Sequence, residues 1–366
     1  MKILVVFGTR PEAIKMAPII KELERQNAEY KVLVTAQHRQ MLDGVLEIFD
    51  IKPDFDLNIF KKGQTLTDIT VETLRGLEEV FKEYLPDVLL VQGDTTTVFA
   101  GALAAFYQKI KIGHVEAGLR SGNLYSPYPE EANRKLTGVM TSYHFAPTEG
   151  NRENLLKEGF DDKDIYVVGN TVIDALHYAV RDDYKFEDEI LNTLDYENKK
   201  IVLLTSHRRE NIGEPMENIF QAVRDVVREN EDVEVVFPIH LNPKVREIAK
   251  RIFDGEDRIH LIEPLEYLPF SNLMKRVSII MTDSGGVQEE APSLGKPVIV
   301  VREETERMEG VLANTAILAG TKYENIYRSF TRLLHDKEFY DQMANAVNPY
   351  GDGTAAEKIV KILLSR

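Results

Sequence analysis

Short apolar runs rich in β-branched residues alternate with amphipathic helical patterns along the chain. Strands are predicted at 2–7, 29–36, 87–94, 110–118, 144–148, 165–170, 200–207, 233–240, 258–264, 277–283 and 297–301. Helices are predicted at 11–26, which Pro11 opens, and at 97–108, 214–229, 323–335 and 353–364. Such alternation implies a parallel sheet covered by helices on both faces, so the predicted fold class is α/β.

Two stretches of the chain have the same order of features. Residues 87–117 and residues 277–301 each contain an apolar strand, a loop with an Asp, a helix, a Gly and another strand. A length of 366 residues also fits two domains, and the polar stretch 182–199 suits a connection between them. We therefore predict two Rossmann-like domains that face a central cleft, because ligands of such sheets bind beyond the carboxyl ends of the strands.

The net charge of −15 disfavours a nucleic-acid binder, which usually has a basic surplus. The chain contains no Cys, so disulfides and thiolate metal sites are excluded. No apolar run approaches the roughly 20 residues of a membrane helix, and the first run is a strand, not a signal peptide. We expect a cytoplasmic protein with no nucleic-acid or membrane partner.

The segment VVFGTRPEAIK is the first candidate anion site. A strand ends at Phe7, Gly8 permits a tight turn and Pro11 starts a helix. Free backbone amides at this helix start would favour an anion, with Arg10 beside them and Lys15 one turn further on. The alternative is an ordinary strand-to-helix turn with a solvated Arg, because the loop lacks a full glycine fingerprint.

The segment TDSGGVQEEAP is the second candidate. Gly285 and Gly286 would let the backbone approach phosphate oxygens, and the hydroxyl of Ser284 could donate to them. Glu290, about a turn later, could accept hydrogen bonds from ribose hydroxyls. The alternative is a turn that needs glycine only for its backbone conformation.

Ionisable residues follow several strand ends. They are Asp94, Glu116, Glu130 with Glu131, and His207. Carboxylates from one half and a His from the other suit acid–base chemistry across a cleft. Each could instead serve a helix, Asp94 as an N-cap and Glu130 as a first-turn charge.

Metal and nicotinamide chemistry find no support in the sequence. No HExxH or similarly spaced cluster is present, so we predict no metal site. The spacing of Tyr196 and Lys200 matches Tyr-x-x-x-Lys, but no G-x-G-x-x-G accompanies it. We predict no cofactor.

These segments resemble the non-hydrolysing UDP-N-acetylglucosamine 2-epimerases essentially from end to end. The matching segments are FGTRPEAIKMAP, TAQHRQML, PDFDLNI, GDTTT, AAFYQ, GHVEAGLRSG, YSPYPEEANR, GNTVIDAL, HRRENIGEPMEN, HLNP, LIEPL, TDSGGVQEEAPSLGKPV and NPYGDG. The resemblance implies the glycosyltransferase-B type of fold, a UDP-sugar substrate, a homodimer, no metal and no nicotinamide. It places an N-terminal domain at 1–170, a UDP-binding domain at 171–349 and a C-terminal helix, 350–366, back on the first domain.

The resemblance also implies roles for individual residues. The catalytic group would be Asp94, Glu116, Glu130 and His207. The residues that contact the substrate would be Arg10, Lys15, Asp94, Glu116, His207, Phe270, Ser284, Gly285, Gly286, Glu290 and Arg307. Some bacterial members are activated by their own substrate at a neighbouring site, which Gln37, Gln40, Arg208 and His240 match.

Two positions depart from the family pattern. Gly63 stands where an Arg often precedes the QTL segment, which leaves open whether activation is retained. Met308 stands beside Arg307 where the family has a Pro. Three other functions remain open: a glycosyltransferase of the same fold, a hydrolysing 2-epimerase, and a silent sugar-nucleotide sensor. Binding UDP alone would not need Asp94, Glu116 and Glu130, which argues against the sensor.

Overall fold

The computed structural model of the chain describes residues 1–36 and 39–366, without the side chains of residues 39–41. Within these ranges the chain forms two compact units, residues 1–178 with 350–366 and residues 179–349. The strands are β1 (Lys2–Phe7), β2 (Glu29–Val34), β3 (Phe55–Asp56), β4 (Val88–Gln92), β5 (Lys111–Val115), β6 (Tyr143–Ala146), β7 (Ile165–Val167), β8 (Lys200–Thr205), β9 (Val233–Pro238), β10 (Ile259–Ile262), β11 (Ile279–Thr282), β12 (Val298–Val300) and β13 (Ala316–Leu318).

Helices connect most of these strands. They are α1 (Arg10–Arg25), α2 (Arg39–Ile48), α3 (Leu66–Glu83), α4 (Thr96–Tyr107), α5 (Glu130–Met140), α6 (Glu149–Lys157), α7 (Thr171–Ala179), α8 (Glu189–Thr193), α9 (Glu214–Glu229), α10 (Pro243–Phe253), α11 (Tyr267–Arg276), α12 (Gly285–Glu290), α13 (Met308–Leu312), α14 (Tyr323–His335), α15 (Lys337–Ala344) and α16 (Ala355–Leu364). In the described part of the chain, no helix is both long enough and apolar enough to span a membrane.

The first unit is built on a parallel sheet with the strand order β3-β2-β1-β4-β5-β6-β7. Strand β1 lies between β2 and β4, and its residues from Ile3 to Phe7 are fully buried. Helix α1 buries Ala13, Met16 and Ile20, whose spacing of three and four residues forms one apolar stripe. Burial on both sides explains why the sequence of β1 is continuously apolar.

The second unit repeats this arrangement with the order β10-β9-β8-β11-β12-β13. Its core includes the packed rings of Phe220, Phe237 and Phe253, with centroids 5.3 and 5.0 Å from that of Phe220. Residues 87–117 and 277–301, which share an order of features in the sequence, form β4-α4-β5 and β11-α12-β12. These two sets of elements occupy equivalent positions in their sheets. The predicted α/β class with two Rossmann-like domains is therefore confirmed.

The end of the chain returns to the first unit. The backbone amide of Asn170 donates to the carbonyl of Tyr350 over 2.7 Å. The carboxylate of Asp174 accepts from the amides of Ala355 and Ala356 at the start of α16. Helix α7 thus belongs to the first unit, and the chain passes to the second unit at residue 179 rather than at 171.

Other segments differ from the sequence-based predictions. The stretch 182–199 is part of the second unit, not a free connection, since Phe186 and Leu191 are buried and helix α8 lies within it. Strands β3 and β13 and helix α15 were not predicted. The two strands contain only two and three residues, too few for a recognisable period.

Candidate active site

Two carboxylates follow neighbouring strand ends in the first unit. Strands β4 and β5 pair in parallel, with Gln92 opposite Val115 at their carboxyl ends. Asp94 lies two residues after Gln92 and Glu116 directly follows Val115, so the structure brings both to the same edge of the sheet. This is the edge at which open α/β sheets bind ligands.

Glu116 is held by donors from three parts of the first unit. The Nζ atom of Lys15 lies 2.7 and 2.8 Å from its two carboxylate oxygens. The amide of Gln92 donates to Oε2, and Nδ2 of Asn170 lies 3.5 Å from Oε1. The backbone of Glu116 has a φ of 66°, a left-handed conformation that is unfavourable for a residue with a Cβ and that recurs at functional sites.

Asp94 is held by the first turns of α5. The guanidinium of Arg134 donates to Oδ2 of Asp94 from Nε at 2.9 Å and contacts it from Nη2 at 2.6 Å. Nδ2 of Asn133 donates to the backbone carbonyl of Asp94 over 2.9 Å. Asp94 does not cap α4, because the side chain of Thr95 accepts from the amide of Val98 in that place.

The adjacent residues Glu130 and Glu131 have different environments. Glu131 is fully buried and accepts from the amides of Ser121 and Gly122 over 3.0 and 3.2 Å, so it anchors the preceding loop. Glu130 is the first residue of α5, and its Oε2 atom is buried without a hydrogen-bond partner among the described residues. Of the two, Glu130 is therefore the one with a carboxylate oxygen that no described residue engages.

The turn at the start of α1 differs from the prediction. The amides of Gly8 and Thr9 donate to Oε2 of Glu12 over 3.1 and 2.7 Å. These amides are therefore not free to bind an anion as predicted, because the side chain of Glu12 already accepts their hydrogen bonds in a capping box. Burial raises the pKa of Glu12, although these bonds and one from Thr95 act in the opposite direction. Arg10 begins the helix.

The second unit contains a cavity of about 300 Å³ beyond the carboxyl ends of β8, β9 and β11. Its wall is formed by Thr205, Ser206, His207, Pro238, His240, Pro264, Leu265, Phe270, Ser284, Gly286, Val287 and Glu290. Five substrate-contact candidates of the second unit thus share one cavity. Its apolar and polar lining resembles that of ligand sites in general.

The other two candidates of the second unit, Gly285 and Arg307, lie against each other. A Cβ atom on Gly285 would come 3.1 Å from Cζ of Arg307, so glycine leaves the room that the guanidinium occupies. Nε of Arg307 donates to Oε1 of the buried Glu289 over 3.0 Å. The guanidinium of Arg307 is thereby fixed beside the start of α12, with Nη1 3.6 Å from Oε2 of Glu306 as a second carboxylate neighbour.

His207 is paired with a buried carboxylate. Its Nδ1 atom lies 3.1 Å from Oδ1 of Asp283, which is fully buried. Oδ2 of Asp283 accepts from the amides of His207 and Arg208 over 2.8 and 2.9 Å. Burial raises the pKa of Asp283, but the contacts with His207 and these amides outweigh it, so the pKa lies below its ordinary value.

The candidate activator residues are only partly described. The ring of His240 stacks on that of His207 at 5.9 Å, and Nε of Arg208 donates to the carbonyl of Asp283 over 3.1 Å. Gln37 and the side chain of Gln40 lie outside the described residues. Among the residues that are described, no three His, Asp or Glu side chains cluster as metal ligands.

Comparison with known proteins identifies the family. The model for UDP-N-acetylglucosamine 2-epimerase matches residues 21–364. The chain belongs to this family. The Bacillus subtilis UDP-N-acetylglucosamine 2-epimerase is 58% identical over 365 residues, which cover 100% of this chain and 95% of the relative.

Two solved structures from the same family contain ligands. The Neisseria meningitidis UDP-GlcNAc 2-epimerase bound to UDP-GlcNAc is 50% identical, with a TM-score of 0.89 and 100% coverage of both chains. S. aureus MnaA with UDP is 52% identical, with a TM-score of 0.88 and coverage of 100% and 97%. The predicted membership of the 2-epimerase family is confirmed.

The two departures from the family pattern fit their local backbone. Gly63 has a φ of 78°, which glycine adopts more readily than the Arg often found there. Met308 is the first residue of α13, the helical position that also accepts the family's Pro.

Sequence reasoning missed the residues that hold Asp94 and His207, and the residue that accepts from the backbone amides at the start of α1. Glu12, Arg134 and Asp283 were all visible within the quoted motifs, but none was assigned a role. The capping-box spacing of Thr9 and Glu12 was a usable signal. The partners of Arg134 and Asp283 are 40 and 76 residues away in sequence, and no local pattern shows such contacts.

Proposed function

We propose that this protein interconverts UDP-N-acetylglucosamine and UDP-N-acetylmannosamine by inverting carbon 2 of the sugar. The observation that carries this proposal is the likeness to UDP-N-acetylglucosamine 2-epimerases over the whole chain. The carboxylates at the ends of β4 and β5 support it, because epimerisation needs groups that take and return a proton.

The chemistry of the sugar constrains the mechanism. The hydrogen on carbon 2 is not acidic, because carbon 2 carries no carbonyl. We propose elimination: a base removes the proton from carbon 2 while the bond from carbon 1 to UDP breaks, which gives 2-acetamidoglucal and UDP. A proton then arrives on the opposite face of carbon 2, and UDP adds again to carbon 1. The reaction consumes no oxidant or reductant.

Inversion by this route requires acid–base groups on both faces of carbon 2. We assign this work to Asp94, Glu116 and Glu130. Their environments differ, since Asp94 is paired with Arg134, Glu116 with Lys15, and one oxygen of Glu130 has no described partner. Different environments for neighbouring carboxyl groups are the usual means of separating an acid from a base.

We assign UDP binding to the second unit. Its cavity combines apolar side chains, such as Phe270, with the helix start at Ser284 and Gly286 and the carboxylate of Glu290. Arg307 places a guanidinium beside that helix start, and Arg307, Arg10 and Lys15 are further substrate contacts that the family resemblance implies. Fixed positive charge stabilises a departing diphosphate, as electrostatic catalysis requires.

The family resemblance also implies a homodimer, which we propose for this chain. Helices α4 and α5 pack together and expose Phe106, Tyr107, Leu136 and Val139, an apolar surface that a second copy could cover. Sedimentation should give the mass of two chains, and the mass of a single chain at working concentrations would contradict the proposal.

A single incubation tests the proposed function against the alternatives. The protein is mixed with UDP-N-acetylglucosamine and no acceptor, and the products are followed by NMR. The proposal predicts UDP-N-acetylmannosamine, with the sugar still attached to UDP. Free N-acetylmannosamine would indicate the hydrolysing enzyme, and an unchanged substrate would indicate a glycosyltransferase or a sensor.

A further inference from the structure

Asp283 follows β11 and its side chain is fully buried. Its two carboxylate oxygens have separate surroundings. Oδ2 accepts from the amides of His207 and Arg208, from Nδ2 of Asn211 over 3.2 Å and from Oγ of Ser206 over 3.3 Å. Oδ1 takes part in none of these bonds and lies 3.1 Å from Nδ1 of His207. The donors on Oδ2 fix the carboxylate, and Oδ1 is left for the imidazole.

We propose that Asp283 is a positioning residue that keeps a proton on Nδ1 of His207 and turns Nε2 toward the diphosphate of the substrate. The role of Nε2 rests on the proposed function. The choice of tautomer rests on the 3.1 Å contact of Nδ1 with Oδ1, a buried oxygen that has no other partner among the described residues. An ionised carboxylate only accepts hydrogen bonds, so it favours a hydrogen on the nitrogen facing it.

The second ring nitrogen of His207, Nε2, lies on the opposite edge of the ring from Nδ1. His207 is a wall residue of the cavity, together with Ser284 and Gly286 at the start of α12. With Nδ1 in contact with Oδ1 of Asp283, Nε2 is the nitrogen left to meet a ligand. It accepts a proton when the ring is neutral and donates one when the ring is charged, so it can exchange a proton with a departing phosphate oxygen.

Asp283 also has a structural task, which any test must separate from positioning. Through Oδ2 it ties the segment 206–211 to the end of β11, and Nδ2 of Asn211 continues the link to the carbonyl of Val301 over 3.1 Å. Loss of activity after removal of Asp283 would therefore not be enough. The protonation pattern of His207 is the property that a purely structural role would leave unchanged.

The decisive variant is Asp283→Asn, which keeps the shape of the side chain. The amide oxygen can still accept from the donors on Oδ2, which turns the NH2 group toward Nδ1 of His207. That nitrogen must then accept, so the proton moves to Nε2. In serine proteases, the corresponding change to Asn lowers kcat by about 10⁴-fold through the wrong tautomer.

The measurement is the pair of ring-nitrogen chemical shifts of His207 in protein labelled with ¹⁵N-histidine, assigned by their loss in His207→Gln. We expect Nδ1–H in the unaltered protein and Nε2–H in Asp283→Asn. We also expect kcat to fall about 10²-fold or more in Asp283→Asn, with a much smaller change in UDP affinity. Asn211→Ala removes one donor to Oδ2 but should keep the Nδ1–H tautomer.

An Nε2–H signal in the unaltered protein would overturn the proposal, even if Asp283→Asn failed to fold. Equal losses of kcat in Asp283→Asn and Asn211→Ala, with the same tautomer in both, would also overturn it and leave Asp283 a structural role. If the tautomer shifts as expected but no epimer forms, the proposed function fails and the positioning of His207 stands.

Discussion

At the scale of single residues, the proposed chemistry depends on carboxylates that are held by named donors. Asp94 is paired with Arg134, and Glu116 accepts from Lys15 and Gln92. Asp94→Asn or Glu116→Gln keeps the shape of the side chain and removes its ability to exchange a proton. We expect kcat to fall by about 10²–10⁴-fold, the usual effect of losing an acid–base group, with little change in UDP affinity.

Steady-state kinetics and calorimetry with UDP check this prediction together. Glu78→Gln, on the exposed side of α3, is the matched control and should behave as the unaltered protein. Unchanged kcat in both site variants would remove these two carboxylates from the chemistry.

A second residue-scale prediction concerns His114 on β5. Its Nε2–H donates to the carbonyl of Gly93, next to Asp94, over 2.7 Å. Burial lowers the pKa of His114 from 6.5 to about 4. The unfolded chain therefore takes up this proton near pH 6.5 and the folded chain only near pH 4. Folding stability is lost as the pH falls through that window, by about 3 kcal/mol at about 1.4 kcal/mol for each pH unit.

His114→Gln can keep a donor for Gly93 and lacks the titrating ring. The difference in unfolding free energy between pH 7.5 and pH 4.5 should be smaller in this variant, by about 2.5 kcal/mol, because this range covers about two pH units of the window. Urea unfolding, monitored through hydrogen exchange of peptides from β5, measures this difference in unfolding free energy. His335→Gln, at an exposed helix end, is the control. The same pH dependence in all three proteins would show that His114 does not carry the effect.

The placement of these residues could be predicted only in part. Asp94 and Glu116 follow apolar strands, and parallel strands bring their carboxyl ends to one edge, so the sequence alone predicts that they lie together. The bonds of Arg134 to Asp94 and of Asp283 to His207 join residues from different elements. Such contacts depend on packing, which a single sequence does not show. The prediction that the backbone amides near Arg10 are free to bind an anion was wrong, because the carboxylate of Glu12 accepts their hydrogen bonds.

At the scale of secondary structure elements, helix α5 serves the candidate site through Arg134. Its side chain is 11% exposed and contacts both Asp94 and Glu131. Arg134→Lys keeps the charge but loses the planar fork that holds Oδ2 of Asp94. We expect kcat to fall roughly 10- to 100-fold, which corresponds to about 1.4–2.8 kcal/mol.

Lys135→Arg is the matched control for this helix, since Lys135 is the next residue and pairs with Glu158 on a more exposed surface. Its kinetics should not change. Equal activity of Arg134→Lys and the unaltered protein would mean that the orientation of Asp94 does not depend on this guanidinium.

The start of α12 allows a test of ligand approach. A Cβ atom on Gly286 would meet no protein atom within 4 Å, and Gly286 forms part of the cavity wall. Gly286→Ala should keep or raise stability, since Ala favours a helix over Gly by about 0.5–1 kcal/mol. It should weaken UDP binding by roughly 1–3 kcal/mol, the cost of an extra methyl in a filled site.

Thermal unfolding and calorimetry measure these two effects separately. Gly44→Ala in α2 is the control, because a methyl group there also meets no protein atom within 4 Å. It should leave UDP affinity unchanged. Full UDP affinity in Gly286→Ala would show that the phosphates do not approach this glycine.

Elements with a strong hydrophobic periodicity were predicted well, and the strands of two or three residues, β3 and β13, were not predicted. Strand β1 and helix α9 have the predicted limits, because five consecutive buried apolar residues and a 16-residue amphipathic pattern leave little ambiguity. Strands β3 and β13 form only through pairing at the edges of their sheets. Their existence depends on the neighbouring strand and not on their own residues.

At the scale of the whole molecule, two units of similar sheet topology carry different candidate groups. The first presents carboxylates at its strand ends, and the second presents a cavity with a glycine-containing helix start. The overall charge of −15 does not argue against the proposed anionic substrate, because a ligand meets the side chains of its own site and not the average charge of the surface. The duplicated order of features predicted the two sheets, but it could not show which unit performs which task.

Turnover in heavy water tests most directly whether carbon 2 loses its proton while UDP departs. UDP-N-acetylglucosamine is incubated with the protein in deuterium oxide, and the product is examined by NMR and mass spectrometry. We expect UDP-N-acetylmannosamine with deuterium at carbon 2, and 2-acetamidoglucal with UDP in the slow Asp94→Asn or Glu116→Gln variants. Product that retains its original hydrogen at carbon 2, with no glucal in any variant, would contradict this account.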